Sequence, residues 1–302
     1  MDKPVAAEPR EETLTVQNDP MVMQFFFPPQ GEWDRAVIIV PAMGVSQRYY
    51  APLATWLAEN GMLTATFDYR GMGKSRTRPL PKLDVDVLSW AQHDAEAALG
   101  RVRDVAGEVP ISWIGHSLGG QILPMVPSHR EVSRVVTVAA GSGYWRENVP
   151  QLKRFSWLLW FVIVPLAIPL LGYFPGRRLR MIGDLPAGVM RQWRRWVLNA
   201  EYAVGVEGPE MRAKYASVDV PITGFSFTDD EYLSERNIES LHGFYTGAKV
   251  LLHRVVPREV GLSRIGHHGF FRAANRDALW EPLLLAALTG AEVPAAAIQP
   301  PS

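Results

Sequence analysis

The amino-acid sequence predicts an α/β protein with a mostly parallel central sheet that is flanked by helices. Two observations support this fold class. Short runs of apolar and β-favouring residues alternate along the chain with segments in which apolar residues recur at helical spacing. The run AVIIV at 36–40 is apolar at every position, which is typical of a strand buried on both faces of a parallel sheet. The sequence therefore predicts one sheet with helices on both of its faces.

The composition limits the kinds of protein that this chain can be. Its 302 residues suit one large domain or a core with an insertion, and 47% hydrophobic residues can form a sizeable core. Lys and Arg together number 31, as do Asp and Glu, so no net charge favours a nucleic-acid partner. The chain has no cysteine and no H-x-x-x-H pair, so we expect neither a metal nor a cofactor. No apolar signal segment opens the chain, which predicts a cytoplasmic protein.

The first part of the chain alternates between strands and helices after an opening hairpin. Strands at 13–17 and 21–27 are separated by Asn18, Asp19 and Pro20, which favour a turn. Each later connection contains a helical pattern, which predicts parallel strands. The expected elements are, in order, strand 36–40, helix 49–60, strand 62–67, helix 85–105, strand 111–115, a helix from Leu118 and strand 134–139.

The alternation stops in the middle of the chain and later resumes. Between Gly141 and Ala216, Trp and Arg accumulate and no strand pattern appears. We therefore expect a core of residues 1–141 and 217–302, interrupted by a helical lid at 142–216, which is called the inserted segment below. After it, the expected elements are strand 218–227, helix 238–245, strand 249–255 and helix 277–288.

The strongest chemical motif lies between the strand at 111–115 and the helix that follows it. Residues 115–119 (GHSLG) fit the pattern G-x-S-x-G, and a strand before it and a helix after it are the setting of a nucleophile elbow. The glycines leave room for a strained turn that exposes the serine hydroxyl. Ser117 is therefore the candidate nucleophile, and we expect the neighbouring His116 to contact the substrate.

A nucleophilic serine needs a histidine as its base, and that histidine needs a carboxylate to orient it. Asp229 and Asp230 follow the strand that ends at Phe227, at the same edge of the sheet as the elbow. His267 and His268 lie in a glycine-flanked loop after the last strand. The order serine, acid, histidine is that of the elbow enzymes. The residue pattern alone leaves open which aspartate and which histidine act, because one aspartate could serve only as a turn or helix cap.

With these motifs, the sequence resembles the α/β-hydrolase superfamily, and within it the uncharacterised bacterial serine hydrolases that carry a lid. The resemblance covers nearly the whole chain. Residues 37–45 (VIIVPAMGV) resemble the family's strand and oxyanion loop, with Pro41 and Ala42 where many members have His-Gly. Residues 67–75 (FDYRGMGKS) resemble the family's Asp-x-Arg-Gly-x-Gly-x-Ser turn.

The resemblance also implies roles for individual residues. It makes Ser117 the nucleophile and the backbone N–H groups of Met43 and Leu118 the oxyanion hole. It favours Asp230 over Asp229, because two apolar residues follow at the family's spacing, although Ser234 stands where the family has proline. The family's closing Gly-His-x-x-Phe pattern matches residues 266–270 and favours His267 over His268.

An uncharged apolar run at 155–174 is about as long as the ~20 residues of a membrane-spanning helix. A span there would place the elbow and the acid–histidine half of one sheet on opposite sides of a bilayer. Pro165 and Pro169 also divide the run into pieces that are too short to span. We expect bent lid helices that cover Ser117, with Trp160 in the pocket wall, and shallow membrane contact as a second role.

Together these features predict a cofactor-independent serine hydrolase that cleaves an ester or thioester of a small molecule with a hydrophobic acyl group. Acyl transfer or elimination on the same triad is one alternative, because a dry pocket can exclude water. A non-catalytic protein of this fold that binds an apolar ligand is the other. The sequence does not determine the oligomeric state.

Overall fold

A computed structural model describes residues 8–294 and 298–299 of the chain. Eleven strands lie within these residues, and nine of them form one central sheet. The strands are β1 (Arg10–Val16), β2 (Asp19–Phe26), β3 (Ala36–Val40), β4 (Leu63–Phe67), β5 (Ile111–His116), β6 (Val132–Val138), β7 (Tyr173–Phe174), β8 (Leu185–Pro186), β9 (Ile222–Phe227), β10 (Val250–Val255) and β11 (Ile298–Gln299).

The strand order of the central sheet is β1-β2-β4-β3-β5-β6-β9-β10-β11. The six strands from β4 to β10 in this order pair in parallel. Strands β1 and β2 add an antiparallel hairpin at one edge, and β11 pairs antiparallel at the other. The predicted fold class, a mostly parallel sheet flanked by helices, is confirmed.

The described residues also form eleven α-helical segments. These are α1 (Ala51–Glu59), α2 (Val87–Ser89), α3 (Glu96–Ala106), α4 (Leu118–Gln121), α5 (Pro150–Leu158), α6 (Val164–Leu171), α7 (Ala187–Val197), α8 (Tyr202–Glu207), α9 (Pro209–Ala216), α10 (Glu235–His242) and α11 (Leu285–Thr289). Three π-helical stretches continue or precede them, at Trp90–Ala95, Leu159–Ile163 and Arg276–Leu284.

The sheet has a hydrophobic core on each face, because successive residues of a strand point to opposite sides. In β3, Val37 and Ile39 belong to the core that includes α1, α11 and the π-helical stretch before α11. Ile38 and Val40 belong to the core that includes α3 and most of the inserted segment. The strand at 36–40 is thus buried on both faces of the sheet, as its all-apolar sequence predicts.

The inserted segment differs from its predicted form in two ways. It contains a short antiparallel hairpin, β7 with β8, where no strand is expected. The prolines do not break the apolar run, because α5, the π-helical stretch and α6 form one continuous helix over Pro150–Leu171. The wider π turn lies just before Pro165, where it accommodates the ring and the missing N–H.

One side of this long helix packs against the protein, and the other side is exposed. By length and composition alone it could cross a membrane, since its 22 residues include a window of mean hydropathy 1.9, but only 28% of that window is buried. Leu159 and Trp160 are buried, whereas Leu166 and Leu170 are 58% and 78% exposed. One side of the helix is therefore packed against the protein and the other side is exposed.

Candidate active site

The residue Ser117 lies in a strained turn between β5 and α4. Its φ is +50° and its ψ is −111°, a backbone conformation that side-chain-bearing residues seldom adopt. Such strain costs about 1–3 kcal/mol and persists where the surroundings enforce it. The Ser117 N–H donates to the Val138 carbonyl at 2.9 Å, which anchors the turn to β6. The predicted elbow is therefore present in the backbone.

The glycines of the elbow are required by close backbone contacts. A Cβ atom at Gly115 would lie 2.4 Å from the Gly119 carbonyl oxygen, and one at Gly119 would lie 2.1 Å from the Val40 carbonyl oxygen. Because Gly119 has no Cβ atom, the elbow can lie directly against the end of β3, where the loop with Met43 begins. The same steric demand thus positions the serine and the expected oxyanion loop.

Two backbone N–H groups near Ser117 are free to donate. Met43 lines the same cavity as Ser117. Leu118 is the first residue of α4, where N–H groups have no partner within the helix. Among the hydrogen bonds of the described residues, neither N–H is used. Both are therefore available for the oxyanion role that the family resemblance implies.

The candidate base and acid are joined directly. Nδ1 of His267 is 2.9 Å from Oδ2 of Asp230, and both side chains are buried. The other carboxylate oxygen accepts the N–H groups of Tyr232 and Leu233 at 2.8 and 3.0 Å. Burial by itself raises the pKa of Asp230, but His267 and these hydrogen bonds outweigh it and leave the pKa below its ordinary value. Asp230 is therefore a carboxylate at neutral pH.

The neighbours of Asp230 hold the backbone of the histidine loop. Asp229 accepts the N–H groups of Ile265 and Gly266 at 2.9 and 3.0 Å. Glu231 accepts the N–H of His267 at 3.0 Å. The sequence reasoning missed Glu231, although a run of three carboxylates after a strand could have indicated it. Three consecutive acidic residues thus fix the position of one histidine.

The second histidine of the pair has a different environment. His268 lines the cavity, and its carbonyl oxygen accepts the hydroxyl of Tyr49 at 2.6 Å. Burial and the neighbouring His267 lower the pKa of His268 to about 4. Its ring is neutral at physiological pH and makes no hydrogen bond to Asp230 among the described contacts. The geometry therefore distinguishes the two histidines that the residue pattern left open.

Ser117 and His267 line the same cavity, which has a volume of about 330 Å³. No hydrogen bond joins their side chains among those of the described residues. Such contacts are often long in a free enzyme and tighten when the substrate binds. The cavity wall is mainly apolar, and the inserted segment contributes Leu152, Phe155, Leu159, Trp160, Met190 and Trp193 to it.

The expectation that His116 contacts the substrate is wrong. His116 is fully buried and does not line the cavity, because the last residue of β5 directs its ring toward Tyr50 and Phe271 on the α1 side. Its Nδ1 is 2.8 Å from the Tyr50 hydroxyl, and its Nε2 is 3.0 Å from the His267 carbonyl oxygen. The Ala42 N–H donates to the same hydroxyl at 2.8 Å. His116 therefore links the loop with Met43, the elbow and the histidine loop.

Removing the Tyr50 hydroxyl tests this link. Tyr50→Phe leaves the Ala42 N–H and Nδ1 of His116 without a partner, so we expect the free energy of unfolding to fall by about 1–3 kcal/mol. We also expect kcat to fall roughly tenfold, because the loop that carries Met43 is less firmly held. Urea unfolding and ester hydrolysis measure the two effects. Tyr173→Phe is the control, because the Tyr173 hydroxyl makes no hydrogen bond with the described residues. Equal stability of the Tyr50→Phe and Tyr173→Phe variants would contradict the linking role of His116 and Tyr50.

The fold and this arrangement define an α/β-hydrolase. The family model described as serine aminopeptidase, S33, matches residues 31–182, which include the loop with Met43 and the elbow. The chain belongs to this family and is a hydrolase.

Solved structures share the fold at low sequence identity. A thermostable carboxyl esterase from Bacillus coagulans aligns with 83% of this chain and 90% of its own, at 15% identity and a TM-score of 0.59. A soluble variant of the monoglyceride lipase from Saccharomyces cerevisiae aligns with 84% and 88%, at 17% identity and a TM-score of 0.61. A thioesterase domain from the curacin biosynthetic pathway aligns with 90% and 98%, at 15% identity and a TM-score of 0.54.

Proposed function

We propose that this protein is a serine hydrolase that cleaves an ester or thioester of a small molecule with a hydrophobic acyl group. The observation that carries the proposal is the mainly apolar cavity that has Ser117 and His267 in its wall and Asp230 behind the histidine. An apolar wall with a few convergent polar groups suits a ligand that is largely hydrocarbon.

In the proposed reaction, His267 takes the proton of the Ser117 hydroxyl as Oγ attacks the carbonyl carbon. The Asp230 carboxylate holds the ring in the required tautomer and stabilises the imidazolium that forms. The Met43 and Leu118 N–H groups bind the oxyanion. His267 then gives its proton to the leaving alcohol or thiol, and a water molecule, activated by the same ring, hydrolyses the acyl-enzyme.

The cavity favours an ester over a peptide N-terminus as the substrate. An aminopeptidase must bind a substrate ammonium group, for which a carboxylate is the natural partner. None of the residues that line the described cavity is Asp or Glu, whereas Arg180 is among them. A positive guanidinium repels an ammonium group and does not hinder a neutral ester.

Turnover of a substrate panel tests the proposal. We expect p-nitrophenyl esters and acyl thioesters of medium chain length to be cleaved with much higher kcat/KM than aminoacyl p-nitroanilides. Adding an alcohol acceptor separates hydrolysis from acyl transfer, because a transferase would form the new ester in preference to the free acid. Faster cleavage of the anilides would contradict the proposal.

We further propose that the inserted segment is a lid that sets the preferred acyl length. Leu159 is buried and lines the cavity from the middle of the long helix. Leu159→Ala enlarges the cavity there, so we expect the ratio of kcat/KM for long over short p-nitrophenyl esters to rise by up to about 100-fold. This limit follows from the energy of a single apolar pocket contact, which is about 1–3 kcal/mol. Leu166→Ala, on the exposed side of the same helix, is the control. A ratio that Leu159→Ala leaves unchanged would contradict the lid role.

The outer side of the same helix supports a peripheral contact with an anionic membrane surface. Trp157, Phe161, Leu166 and Leu170 are between 51% and 78% exposed. Exposed cationic side chains lie before and after this apolar face, at Lys153, Arg154, Arg177 and Arg178. An apolar face flanked by cations is the pattern of a helix that lies in the interface of anionic lipids. The predicted cytoplasmic location remains a prediction.

Binding to lipid vesicles tests this contact. We expect the protein to sediment with phosphatidylglycerol vesicles more strongly than with phosphatidylcholine vesicles, and less at high salt, because salt screens the cations. The double change Leu166→Ser and Leu170→Ser should weaken binding at least about tenfold through lost apolar burial. Leu251→Ser is the control, because Leu251 is 49% exposed on β10 and lies outside the helix. Equal binding by all three proteins would contradict the contact.

A further inference from the structure

One arginine lies in the mainly apolar wall of the cavity that contains Ser117. Of the described residues that line this cavity, Arg180 is the only Asp, Glu, Lys or Arg. Arg180 is exposed, whereas Leu159 and Trp160 of the same wall are buried. A side chain that both lines a cavity and is exposed lies where the cavity opens to water. The mouth of the cavity therefore carries a positive charge.

A hydrogen-bonded turn holds Arg180 in a left-handed backbone conformation. Its φ is +54°. The Arg180 N–H donates to the Arg177 carbonyl at 3.1 Å, and the Met181 N–H donates to the Gly176 carbonyl at 3.0 Å. Glycine is usual at the left-handed position of such a turn, because a Cβ atom is strained there. Among the described residues of the cavity wall, Ser117 and Arg180 are the only ones with a side chain and a positive φ. Strain of this kind clusters at functional sites.

The loop that carries Arg180 packs against the loop that carries Met43. A Cβ atom at Gly183 would lie 2.6 Å from the Gly44 carbonyl oxygen, and one at Gly44 would lie 2.8 Å from the Gly183 nitrogen. The two backbones therefore touch directly, three residues after Arg180 and one residue after Met43. This contact holds Arg180 on the side of the cavity where Met43 lies.

The Arg180 guanidinium has no anionic partner among the described residues. The one acidic residue of its loop, Asp184, is engaged elsewhere: its Oδ2 is 3.1 Å from Nη1 of Arg76, and its Oδ1 accepts the Arg177 N–H at 3.2 Å. Arg180 takes part in none of the ion pairs between described residues. A guanidinium presents its donors in a planar fork that fits a carboxylate or a phosphate. Arg180 is therefore available to an anion from outside the chain.

We propose that the substrate carries an anionic group, a carboxylate or a phosphate, which Arg180 binds at the mouth of the cavity. This inference rests on the proposed function and names the substrate class more closely. A charge buried without a partner is costly, so the apolar interior of the cavity suits the hydrocarbon part of the substrate. The anion is then at the end of the substrate that stays near water, which is either the leaving group or the far end of the acyl chain.

The test compares two pairs of matched esters at low salt. In the first pair, an acyl ester of 3-hydroxy-4-nitrobenzoate is compared with that of the neutral amide, which places the anion on the leaving group. In the second, the p-nitrophenyl monoester of a dicarboxylic acid is compared with the p-nitrophenyl ester of the monocarboxylic acid of equal length. We expect the anionic ester of one pair to have a kcat/KM higher by about fivefold or more, and high salt to reduce this preference.

Two changes at Arg180 test its role. Arg180→Gln should reduce the anionic preference toward one, whereas Arg180→Lys keeps the positive charge and should retain more of the preference. Both variants keep a side chain in the left-handed turn, so the backbone strain is the same. Arg191→Gln is the matched control, because Arg191 is an exposed arginine of α7 in the same inserted segment and does not line the cavity. This control should keep the preference.

The inference is overturned if the wild-type protein prefers the anionic ester of neither pair, a comparison that needs no variant to fold. It is also overturned if Arg191→Gln or Arg180→Lys abolishes the preference as fully as Arg180→Gln. Neutral esters and a fluorophosphonate separate the two levels. Cleavage of neutral esters without an anionic preference overturns this inference alone, whereas no ester cleavage and no fluorophosphonate labelling overturns the proposed function.

Discussion

Replacing Ser117 by alanine is expected to lower kcat for p-nitrophenyl esters by about three to six orders of magnitude, because the nucleophile of the acyl-enzyme is lost. The remaining rate would come from the cavity and from the N–H groups of Met43 and Leu118. The fold should persist, since the close contacts of Gly115 and Gly119 that enforce the turn are unchanged. Steady-state hydrolysis and thermal unfolding measure the two quantities.

The matched control is Ser156→Ala, which removes another hydroxyl from the same cavity wall. It should stay far closer to the wild type than Ser117→Ala, because its hydroxyl donates to the Leu152 carbonyl and does not reach reacting atoms in the proposed mechanism. A folded Ser117→Ala protein that retains kcat within tenfold of wild type would rule out Ser117 as the nucleophile.

Asp230→Asn is expected to lower kcat by about 10³–10⁴, with the cavity intact. The amide cannot hold His267 in the required tautomer or stabilise the imidazolium. Asp229→Asn is the paired comparison, because its carboxylate accepts backbone N–H groups of Ile265 and Gly266 and does not touch the ring. That variant should lose stability more than turnover. If Asp229→Asn were the more damaging change to kcat, the assignment of the acid would be wrong.

The lowered pKa of Asp230 adds an expectation for stability. A carboxyl whose pKa is lower in the folded than in the unfolded state stabilises the fold above the unfolded value, for which 3.8 is the ordinary pKa. That contribution is lost as the pH falls through the lower folded pKa. The stability difference between wild type and Asp230→Asn should therefore be largest near neutral pH and shrink below about pH 4, as urea unfolding at several pH values would show.

The features that the sequence predicted correctly depend on residues that are close together in the sequence. Glycines at 115 and 119 are needed wherever a serine occupies such a turn, so the elbow could be found from spacing and context. The all-apolar sequence of β3 likewise indicates directly that both faces of this strand are buried. The choice between Asp229 and Asp230 came from the family resemblance, because the direction of adjacent side chains in a loop depends on turn geometry that composition does not encode.

Other features depend on contacts between distant parts of the chain, and these were missed or mistaken. His116 was expected at the substrate because it adjoins Ser117, but its ring pairs with Tyr50 and with the carbonyl of His267, which lie far away in the sequence. The role of Glu231 in holding the His267 N–H is likewise a tertiary contact. In the inserted segment, proline predicted a break, and the π-helical turn before Pro165 preserved one continuous helix instead.

The proposed mechanism requires Ser117 to be an activated nucleophile that becomes acylated. Its most direct test is to treat the wild-type protein with an alkyl fluorophosphonate, measure the intact mass and map the modified peptide. The proposed mechanism predicts one adduct per chain, on Ser117, and none in Ser117→Ala. A folded protein that stays unmodified, or that carries the adduct on a different residue, would contradict it.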